Sequence, residues 1–429
     1  MKILILIIAA LLLISCASSQ PNGAAAFAAL PVREIPADYA GLAHGGTTRT
    51  QQEFDYMEYL GINWILHTFS WNRVEVEPGE WDFQYFDEIV DMAVDTGIKT
   101  LGILAYGNRY LIEGNESTFY IRPDHVPYFL RYVRRTVEHF RGRVDAWCIW
   151  NEPNTPFWKG SDKEFFELTR RTAEVIREVD SDVIIMGGAF NRGFFGLPKK
   201  YIRGLFESGA MENVDVVAFH PYEINPARAA RLFDKFKKEV EPYGFGDKIW
   251  ITEMGYPTGG RYPTRIPERK KSEYLVKTWT LLAIRENHSL LWYQLFDPEV
   301  RQTSNSEDFF GIVRSSEDYS SKAAEALRLC AVYLSGTIYN TLDVQREELP
   351  QSLVSYYFIG HDTSTLILWN NNPGSVNVRL QLPGNNHKTF DLDNGAATAI
   401  QANSIIKVNN RPVFITWQSD GAHPVLSKN

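Results

Sequence analysis

Two glutamates have the residue type and the setting for acid–base chemistry. Glu152 follows the apolar run Ala146–Trp150, and Glu253 follows Ile249–Thr252. Each run is typical of a buried parallel strand, where a carboxyl group requires a partner or a chemical task. Hydrolysis of a glycosidic bond needs two such groups: one protonates the leaving oxygen, and the other attacks the anomeric carbon or activates water. The pair predicts this chemistry; the alternative is that either residue is only a structural ion-pair partner.

The elements that must position these glutamates alternate between strand and helix from about residue 40. Amphipathic stretches with apolar residues at three- and four-residue steps lie between apolar runs. Eight such strands predict an α/β fold, a (β/α)8 barrel. A doubly wound sheet would carry a glycine-rich nucleotide turn after its first strand, which residues 41–46 match poorly. The predicted strands are Tyr39–Ala43, Trp64–Phe69, Thr100–Ala105, Ala146–Trp150, Val183–Gly187, Val214–Phe219, Ile249–Thr252 and Leu290–Phe296.

The chain changes character past about residue 336. Short β-type runs are separated by turn signals such as Asn371–Gly374, Pro383–Asn386 and Asn394-Gly395. The pattern predicts a small C-terminal antiparallel β-sandwich packed on the barrel. We therefore place the barrel at residues 37–335 and the sandwich at residues 336–429.

The N-terminus has the pattern of an export signal. Met1-Lys2 precede 12 unbroken apolar residues, too few to span a bilayer, and Leu13–Cys16 resembles the lipobox of bacterial lipoproteins. That resemblance implies a signal peptide at residues 1–15, a lipid on Cys16 and a flexible tether at residues 16–36. The alternative is an ordinary cleaved signal. We expect an exported protein that is lipid-anchored to the bacterial cell envelope.

Composition excludes several function classes. A net charge of −8 over 429 residues argues against nucleic acid as a partner. The sequence holds no His-Glu-x-x-His, Cys-x-x-Cys or Gly-x-x-x-x-Gly-Lys-Ser/Thr motif, so we expect neither metal nor cofactor. The expected partners are an oligo- or polysaccharide and a membrane reached only through the lipid at Cys16. With 11 Trp and 13% aromatic residues, the chain is well supplied for sugar stacking.

Several further segments, taken with the two glutamates, resemble the retaining (β/α)8-barrel glycosidases of clan GH-A. The resemblance is nearest to glycoside hydrolase families 39 and 5. It implies Glu152 as acid/base and Glu253 as nucleophile, acting on β-linked glycans as a β-xylosidase or β-glucosidase would. An endo-acting glycanase, a uronic-acid substrate and a non-catalytic glycan-binding lipoprotein are the alternatives. The segments are Gly61–Trp64, Trp71, Glu77–Phe83, Phe86-Asp87, Asn151–Pro153, His220–Tyr222, Trp292–Asp297 and Phe310–Ile312.

The resemblance also implies roles for polar neighbours of the two glutamates. Asn151 would hold the sugar 2-hydroxyl, although its side chain could instead cap the following turn. Tyr222 would donate to Glu253, with His220 as its companion in the cleft. Both are also ordinary residues for the end of a strand.

Aromatic residues are the candidates for stacking on sugar rings. Trp292 on the eighth strand would form the floor of the sugar site, although relatives place the Trp nearer the end of the strand, where this chain has Leu295-Phe296. Tyr106, Trp158 and Tyr256 follow other strands and are candidate stackers. Anchoring in the surface is the alternative role for each.

One departure from the clan pattern concerns the second strand. Many relatives carry an Arg there, at the place of Leu66. The resemblance then requires another source of support for the nucleophile, either His67 or Arg73, and a core position is the simpler explanation for His67. The gap is the main feature in favour of the non-catalytic alternative.

Overall fold

The computed structural model describes residues 32–43, 50–112, 117–192, 196–261, 265–298, 301–313, 322–342 and 344–429. Cys16, the predicted signal peptide and residues 16–31 of the predicted tether lie outside the described residues. Within the described part of the chain, no helix is both long enough and apolar enough to cross a membrane.

Residues 32–313 alternate strands and helices. They are β1 (Val32–Glu34), β2 (Ala40–Ala43), α1 (Gln51–Tyr59), β3 (Trp64–Ser70), α2 (Trp71–Val74), β4 (Glu75–Glu77), β5 (Glu80–Trp81), α3 (Gln84–Thr96), β6 (Lys99–Ala105), α4 (Val126–Phe140), β7 (Ala146–Ile149), α5 (Asp162–Val179), β8 (Ile184–Asn191), α6 (Lys199–Glu207), β9 (Val216–His220), α7 (Pro226–Val240), β10 (Ile249–Met254), α8 (Lys271–Ala283) and β11 (Leu290–Tyr293). Short 3-10 helices lie at Arg109–Leu111, Glu241–Tyr243, Glu268–Lys270 and Ser306–Phe309.

The remaining chain has one helix followed by strands. They are α9 (Lys322–Leu334), β12 (Ile338–Asn340), β13 (Gln345–Glu347), β14 (Leu353–Ile359), β15 (Thr363–Asn370), β16 (Val376–Gln381), β17 (Asn385–Phe390), β18 (Ala397–Ala399), β19 (Asn403–Val408), β20 (Val413–Gln418) and β21 (Val425–Lys428).

Eight parallel strands close into a barrel in the order β2-β3-β6-β7-β8-β9-β10-β11. All eight predicted strands are present, which confirms the (β/α)8 architecture. Their ends differ from the prediction most at β8, which continues to Asn191, four residues beyond the predicted end at Gly187. This extension carries Asn191 to the carboxyl edge of the barrel, where the loops of this architecture build binding sites.

Side-chain alternation divides each barrel strand between the interior and the surrounding helices. Phe69 faces outward and stacks on Phe86 of α3 with ring centroids 4.5 Å apart. Trp64, of opposite parity on β3, meets Trp250 of β10 at 4.9 Å, although the two strands are not neighbours. The barrel interior is thus filled by large apolar side chains below the carboxyl ends of the strands.

The C-terminal residues form two facing sheets, which confirms the sandwich prediction. One has the order β1-β12-β14-β15-β20-β17-β18 and the other β13-β21-β16-β19. An apolar cluster that includes Tyr357, Leu366 and Trp417 fills the space between them. On its other face, Phe414 of the larger sheet lies 5.9 Å from Tyr333 of α9, so the sandwich packs on the barrel.

The first strand corrects the prediction of a tether over residues 16–36. Val32–Glu34 pair antiparallel with β12, as the outer strand of the larger sheet. Arg33 is buried, and its guanidinium donates to the carbonyl oxygen of Ala283, the last residue of α8, and to that of Asn287 in the following loop. These bonds hold the segment in place, because a buried guanidinium must find acceptors.

Candidate active site

Glu152 lies directly beyond β7 at the carboxyl end of the barrel and is only 7% exposed. Its Oε1 accepts from Asn191 Nδ2 at 2.5 Å and from His220 Nδ1 at 2.7 Å. The backbone at Glu152 and at Trp150 has positive φ, 47° and 68°, which side chains other than glycine adopt rarely. Such conformations cluster at functional sites, where the surrounding structure enforces them.

Glu253 lies on β10, facing the same space, and is 5% exposed. The Tyr222 hydroxyl, just beyond β9, donates to Glu253 Oε2 at 3.1 Å. Burial raises the pKa of Tyr222 well above its usual value, and the Glu253 carboxylate raises it further. Tyr222 therefore keeps its proton and donates it in the hydrogen bond to Glu253.

His220 connects the two carboxylates. Its Nδ1 lies 2.7 Å from Glu152 Oε1 and 3.5 Å from Glu253 Oε2, and its Nε2 lies 3.0 Å from Thr252 Oγ1. Burial alone would lower the pKa of His220, but Glu253 and Glu152 outweigh it and hold this pKa above the ordinary value. A proton on Nδ1 thus faces both carboxylates.

One carboxylate oxygen of Glu152, one of Glu253 and one imidazole nitrogen of His220 lie within 4.8 Å of one another. Among the described residues, these three could hold a metal ion. His220 contacts both carboxylates, so the group is equally suited to holding protons. The distance between the two oxygens is nearer to the separation of about 5–5.5 Å that double displacement uses than to the roughly 6.5–9.5 Å of inversion.

Asn151 and Tyr106, both predicted to bind substrate, lie beside this pair. Asn151 is buried, and its Oδ1 has no hydrogen-bond partner among the described residues. Tyr106 is partly exposed, and its ring packs against Trp150 at 5.1 Å. Burial raises the pKa of the Tyr106 hydroxyl, the Asn151 side chain lowers it, and the carboxylates of Glu253 and Glu152 raise it. An unsatisfied buried amide oxygen next to two carboxylates suits a donor on a bound molecule, such as a sugar hydroxyl.

The prediction for Trp292 is wrong. Its side chain is fully buried and lies 6.1 Å from the buried ring of Tyr256, so it cannot meet a sugar. Because successive residues of a strand face opposite sides, the following Tyr293 turns into the site instead. Tyr293 is partly exposed and lies 6.5 Å from Tyr222 and 5.1 Å from Phe310.

Two other predicted stackers are also buried. Tyr256 is fully buried, and its hydroxyl bonds to Thr278 of α8 at 2.9 Å. Trp158 is 6% exposed and packs edge-on against Trp150 at 5.3 Å, while its indole donates to the Ser161 carbonyl. Both residues anchor loops in the protein, which was the alternative reading.

Leu66 stands where many relatives have an arginine, yet Glu253 still has polar partners. Leu66 has the inward parity of Trp64, and His67 has the outward parity of Phe69, so His67 turns away from the site. The guanidinium of Arg73 stacks on the Tyr85 ring at 3.6 Å, so it does not support Glu253 either. Tyr222 and His220 contact Glu253 in their place.

Sequence reasoning missed Asn191 and underrated Thr252. Asn191 donates to Glu152 and also exchanges two hydrogen bonds with Asn154, which fix the loop after β7 to the end of β8. The usable signal was a polar residue closing a longer apolar run. Thr252 sets the orientation of the His220 ring through Nε2.

Arg192 is the charged residue that directly follows Asn191. Its guanidinium pairs with the buried carboxylate of Glu223 at 2.6 Å, and Arg228 pairs with the same carboxylate at 3.1 Å. An arginine that balances a buried glutamate is not dedicated to an anionic substrate. The described part of the cleft therefore gives no specific support to a uronic-acid glycone.

Comparisons with known proteins agree with this geometry. The family model described as "Glycosyl hydrolases family 39" matches residues 43–236, a segment that contains Glu152 and His220 and ends before Glu253. A beta-xylosidase of Caldicellulosiruptor saccharolyticus is 26% identical over 157 residues, which are 33% of this chain and 32% of that protein. The endo-1,4-beta-xylanase B of Thermotoga neapolitana is 20% identical over 202 residues, covering 44% and 57%. The chain thus spans about a third to somewhat over half of the length of these relatives.

Solved structures extend the similarity of fold to nearly the whole chain. A family 39 glycoside hydrolase from the gut symbiont Bacteroides cellulosilyticus WH2 superposes with a TM-score of 0.72 at 18% identity, covering 90% of this chain and 81% of that one. A family 39 beta-xylosidase from Caulobacter crescentus superposes with a TM-score of 0.65 at 13% identity, covering 91% and 98%. Residues 43–236 are thus similar to glycosyl hydrolases of family 39, and nearly the whole chain shares the fold of these solved structures.

Proposed function

We propose that this protein is a retaining glycoside hydrolase that cleaves β-linked glycans, with a glycone like that of a β-xylosidase or β-glucosidase. The observation that carries the proposal is that one oxygen of the Glu152 carboxylate and one of Glu253 lie within 4.8 Å of each other, with His220 contacting both carboxylates. This distance favours retention, because inverting enzymes keep their two carboxyl groups about 6.5–9.5 Å apart to admit a water molecule.

The reaction has two steps. Glu253 attacks the anomeric carbon while the bond to the leaving oxygen breaks, and Glu152 delivers its proton to that oxygen. Glu152 then removes a proton from water, the water oxygen attacks the anomeric carbon, and Glu253 leaves with its electron pair. Both donors on Glu152, from Asn191 and His220, reach Oε1, so Oε2 is the oxygen that carries the transferred proton.

The test is an assay on aryl β- and α-glycosides of xylose, glucose, mannose, galactose, arabinose, fucose and the uronic acids. Release of nitrophenol from one β-glycoside, with a first product of retained anomeric configuration by NMR, is the expected result. Inverted product would contradict the mechanism. Turnover only on longer oligosaccharides would indicate an endo-acting glycanase, and binding without any turnover would indicate a glycan-binding lipoprotein.

We further propose that the chain is exported and held at the cell envelope by a lipid on Cys16. The support is the apolar run followed by Leu13–Cys16 in the sequence. Metabolic labelling with a radioactive fatty acid in a bacterial host should label the wild-type chain and not the Cys16→Ala variant. Equal labelling of both, or none of either, would contradict the anchor.

A further inference from the structure

Three partly exposed aromatic rings form a continuous edge beside the acid/base, which we call the aromatic rim: Tyr106, Phe119 and Phe157. The rings of Tyr106 and Phe119 lie 4.9 Å apart, and those of Phe119 and Phe157 lie 5.3 Å apart. Phe157 is 37% exposed. Contiguous apolar side chains at a surface mark binding sites more often than single exposed ones do, so the rim is a candidate ligand site.

The backbone holds the rim in place. The Phe157 carbonyl accepts from the indole of Trp150 at 2.9 Å, and the Phe119 carbonyl accepts from the amide of Lys159 at 2.9 Å. The amide of Gly107, next to Tyr106, donates to the Thr118 carbonyl at 2.7 Å. The three rings are therefore fixed to one another before any ligand binds, which lowers the entropy cost of binding.

The rim lies on the side of the site where the leaving group departs. Phe157 belongs to the loop that begins at Glu152, and Thr155 of this loop donates to the Glu152 carbonyl through both its amide and its hydroxyl. Because the proposed role of Glu152 is to protonate the leaving oxygen, we infer that the ring attached to that oxygen lies beside this loop. Tyr106 interacts electrostatically with Glu253 and Glu152, and its ring lies 4.9 Å from that of Phe119 and 6.3 Å from that of Phe157.

The chemistry of the rim selects the ligand. All three side chains present uncharged π faces or edges, which pack on the C–H face of a sugar ring. We propose that the aromatic rim is the binding site for the leaving-group sugar, so that the enzyme acts on chains of at least two sugar units. This inference rests on the proposed function, because it needs Glu152 as the acid.

A trapped glycosyl-enzyme separates the two sides of the site. The 2,4-dinitrophenyl 2-deoxy-2-fluoro-β-xyloside, or its glucoside analogue, should label Glu253, which mass spectrometry detects. Reactivation by water alone involves no leaving-group sugar, whereas reactivation by xylobiose or cellobiose as acceptor requires that sugar to bind at the rim. The water rate is thus an internal reference within each variant.

The expected result is specific to the acceptor. Phe157→Ala and Phe119→Ala should each lower acceptor-dependent reactivation about 3- to 10-fold, the scale of a stacking contact, and change the water rate less than about 2-fold. Phe157→Trp should restore the acceptor effect. Tyr59→Ala, at another exposed ring (52% exposed) at the end of α1, should change neither rate.

Other outcomes overturn the inference. Equal loss of both rates would mean that the rings only shape the glycone site, and no loss of either would mean that nothing binds the rim. A response to benzyl alcohol but not to the sugars would exclude a sugar as the occupant. Failure to trap any intermediate would count against the proposed function alone. In that case calorimetric titration of xylotriose and cellotriose into Glu253→Gln, with and without Phe157→Ala, still tests the rim, and equal affinities would overturn it.

Discussion

Glu75 and the pair Glu152 and Glu253 are all buried at the carboxyl end of the barrel, and they differ in how their charge is balanced. Glu75 is fully buried and accepts from the Trp71 indole at 2.7 Å, from the Gly79 amide at 2.9 Å and from the Arg131 guanidinium at 2.5 Å. Glu152 and Glu253 are buried almost as deeply, yet they share a single imidazole, that of His220. Glu75 therefore faces a full cation, whereas Glu152 and Glu253 share one imidazole and also accept from the neutral donors Asn191 and Tyr222.

Burial of a carboxylate therefore does not by itself mark a reactive site. A buried carboxylate with an arginine and two neutral donors is stable as an anion and has nothing left to exchange. A pair of carboxylates that shares one proton-bearing group can pass charge between its members. Uneven charge balance distinguishes the catalytic pair from the structural glutamate.

The largest effect is expected when the charge of Glu253 is removed, with removal of the charge of Glu75 as the control. Glu253→Gln should lower kcat/KM by about four orders of magnitude or more, because no other group can form the glycosyl-enzyme. The assay is release of nitrophenol from the preferred aryl glycoside, with circular dichroism to verify folding. Glu75→Gln is the matched control and should stay within about 2-fold of wild type. Equal losses in the two variants would contradict the distinction.

Glu152 should matter in proportion to how much the leaving group needs a proton. Glu152→Gln should lower kcat/KM by about 10²- to 10⁴-fold for a disaccharide, the usual contribution of a general acid. For a dinitrophenyl glycoside, whose leaving group needs no proton, the first step should be nearly unaffected and the second should become rate-limiting. Burst kinetics with the dinitrophenyl substrate measure this. Equal losses on both substrates would assign Glu152 a structural role like that of Glu75.

The barrel and both glutamates could be predicted from the sequence for a physical reason. Strands buried on both faces are continuous apolar runs, and a carboxylate at the end of such a run stands out. Glu152 and Glu253 each follow a run whose strand starts at the predicted residue. The side-by-side placement of the two then follows from the common carboxyl edge of a parallel barrel.

The positions of Asn191, Trp292 and the strand Val32–Glu34 depend on three-dimensional geometry that the amino-acid sequence alone does not show. Asn191 was missed because the pairing of β8 with β9 shifts register between Gly187 and Phe190, which breaks the simple alternation. Trp292 was assigned to the sugar site although Tyr293 faces it, because neighbouring residues of a strand point to opposite faces and a shift of one position exchanges core for cleft. The strand Val32–Glu34 was assigned to a tether because three residues are too few to show a period.

Tyr222 differs from the partner of Glu75 in charge. It donates to Glu253 as a neutral hydroxyl, whereas Glu75 accepts from the guanidinium of Arg131. Tyr222→Phe should lower kcat/KM about 10- to 100-fold, the effect of removing one hydrogen bond to a charged group. The matched control is Tyr256→Phe, which removes a buried hydroxyl bonded to Thr278 behind the barrel. That control should lower the free energy of unfolding and leave kcat/KM unchanged. A similar kcat/KM for both variants would show that the Tyr222 hydroxyl does not act on the nucleophile.

Glu75 should show its importance in stability. Glu75→Gln should lower the free energy of unfolding by about 1–3 kcal/mol, because an amide accepts less well from the three donors and its own NH2 faces them. Urea unfolding followed by tryptophan fluorescence measures the change. The same measurement on Glu253→Gln should show no loss, since removing one of two facing carboxylates relieves repulsion. A greater loss in Glu253→Gln than in Glu75→Gln would reverse our interpretation.

The smallest effect concerns pH, and it follows from the single imidazole shared by two carboxylates. Glu253 and Glu152 hold the pKa of His220 above its ordinary value in the folded state, despite burial. A histidine of this kind contributes its full stabilisation below the unfolded pKa of about 6.5, and the contribution is lost as pH rises through the folded pKa. The excess free energy of unfolding of wild type over His220→Gln should therefore be larger at pH 6 than at pH 9. Urea unfolding of both proteins across that range measures it, and comparison of Glu75→Gln with wild type supplies a reference without a histidine partner. If the difference in free energy of unfolding between wild type and His220→Gln stays constant with pH, the imidazole keeps one protonation state across that range. Its contribution to Glu152 and Glu253 would then come from hydrogen bonds that do not change with pH, as the donors to Glu75 do not.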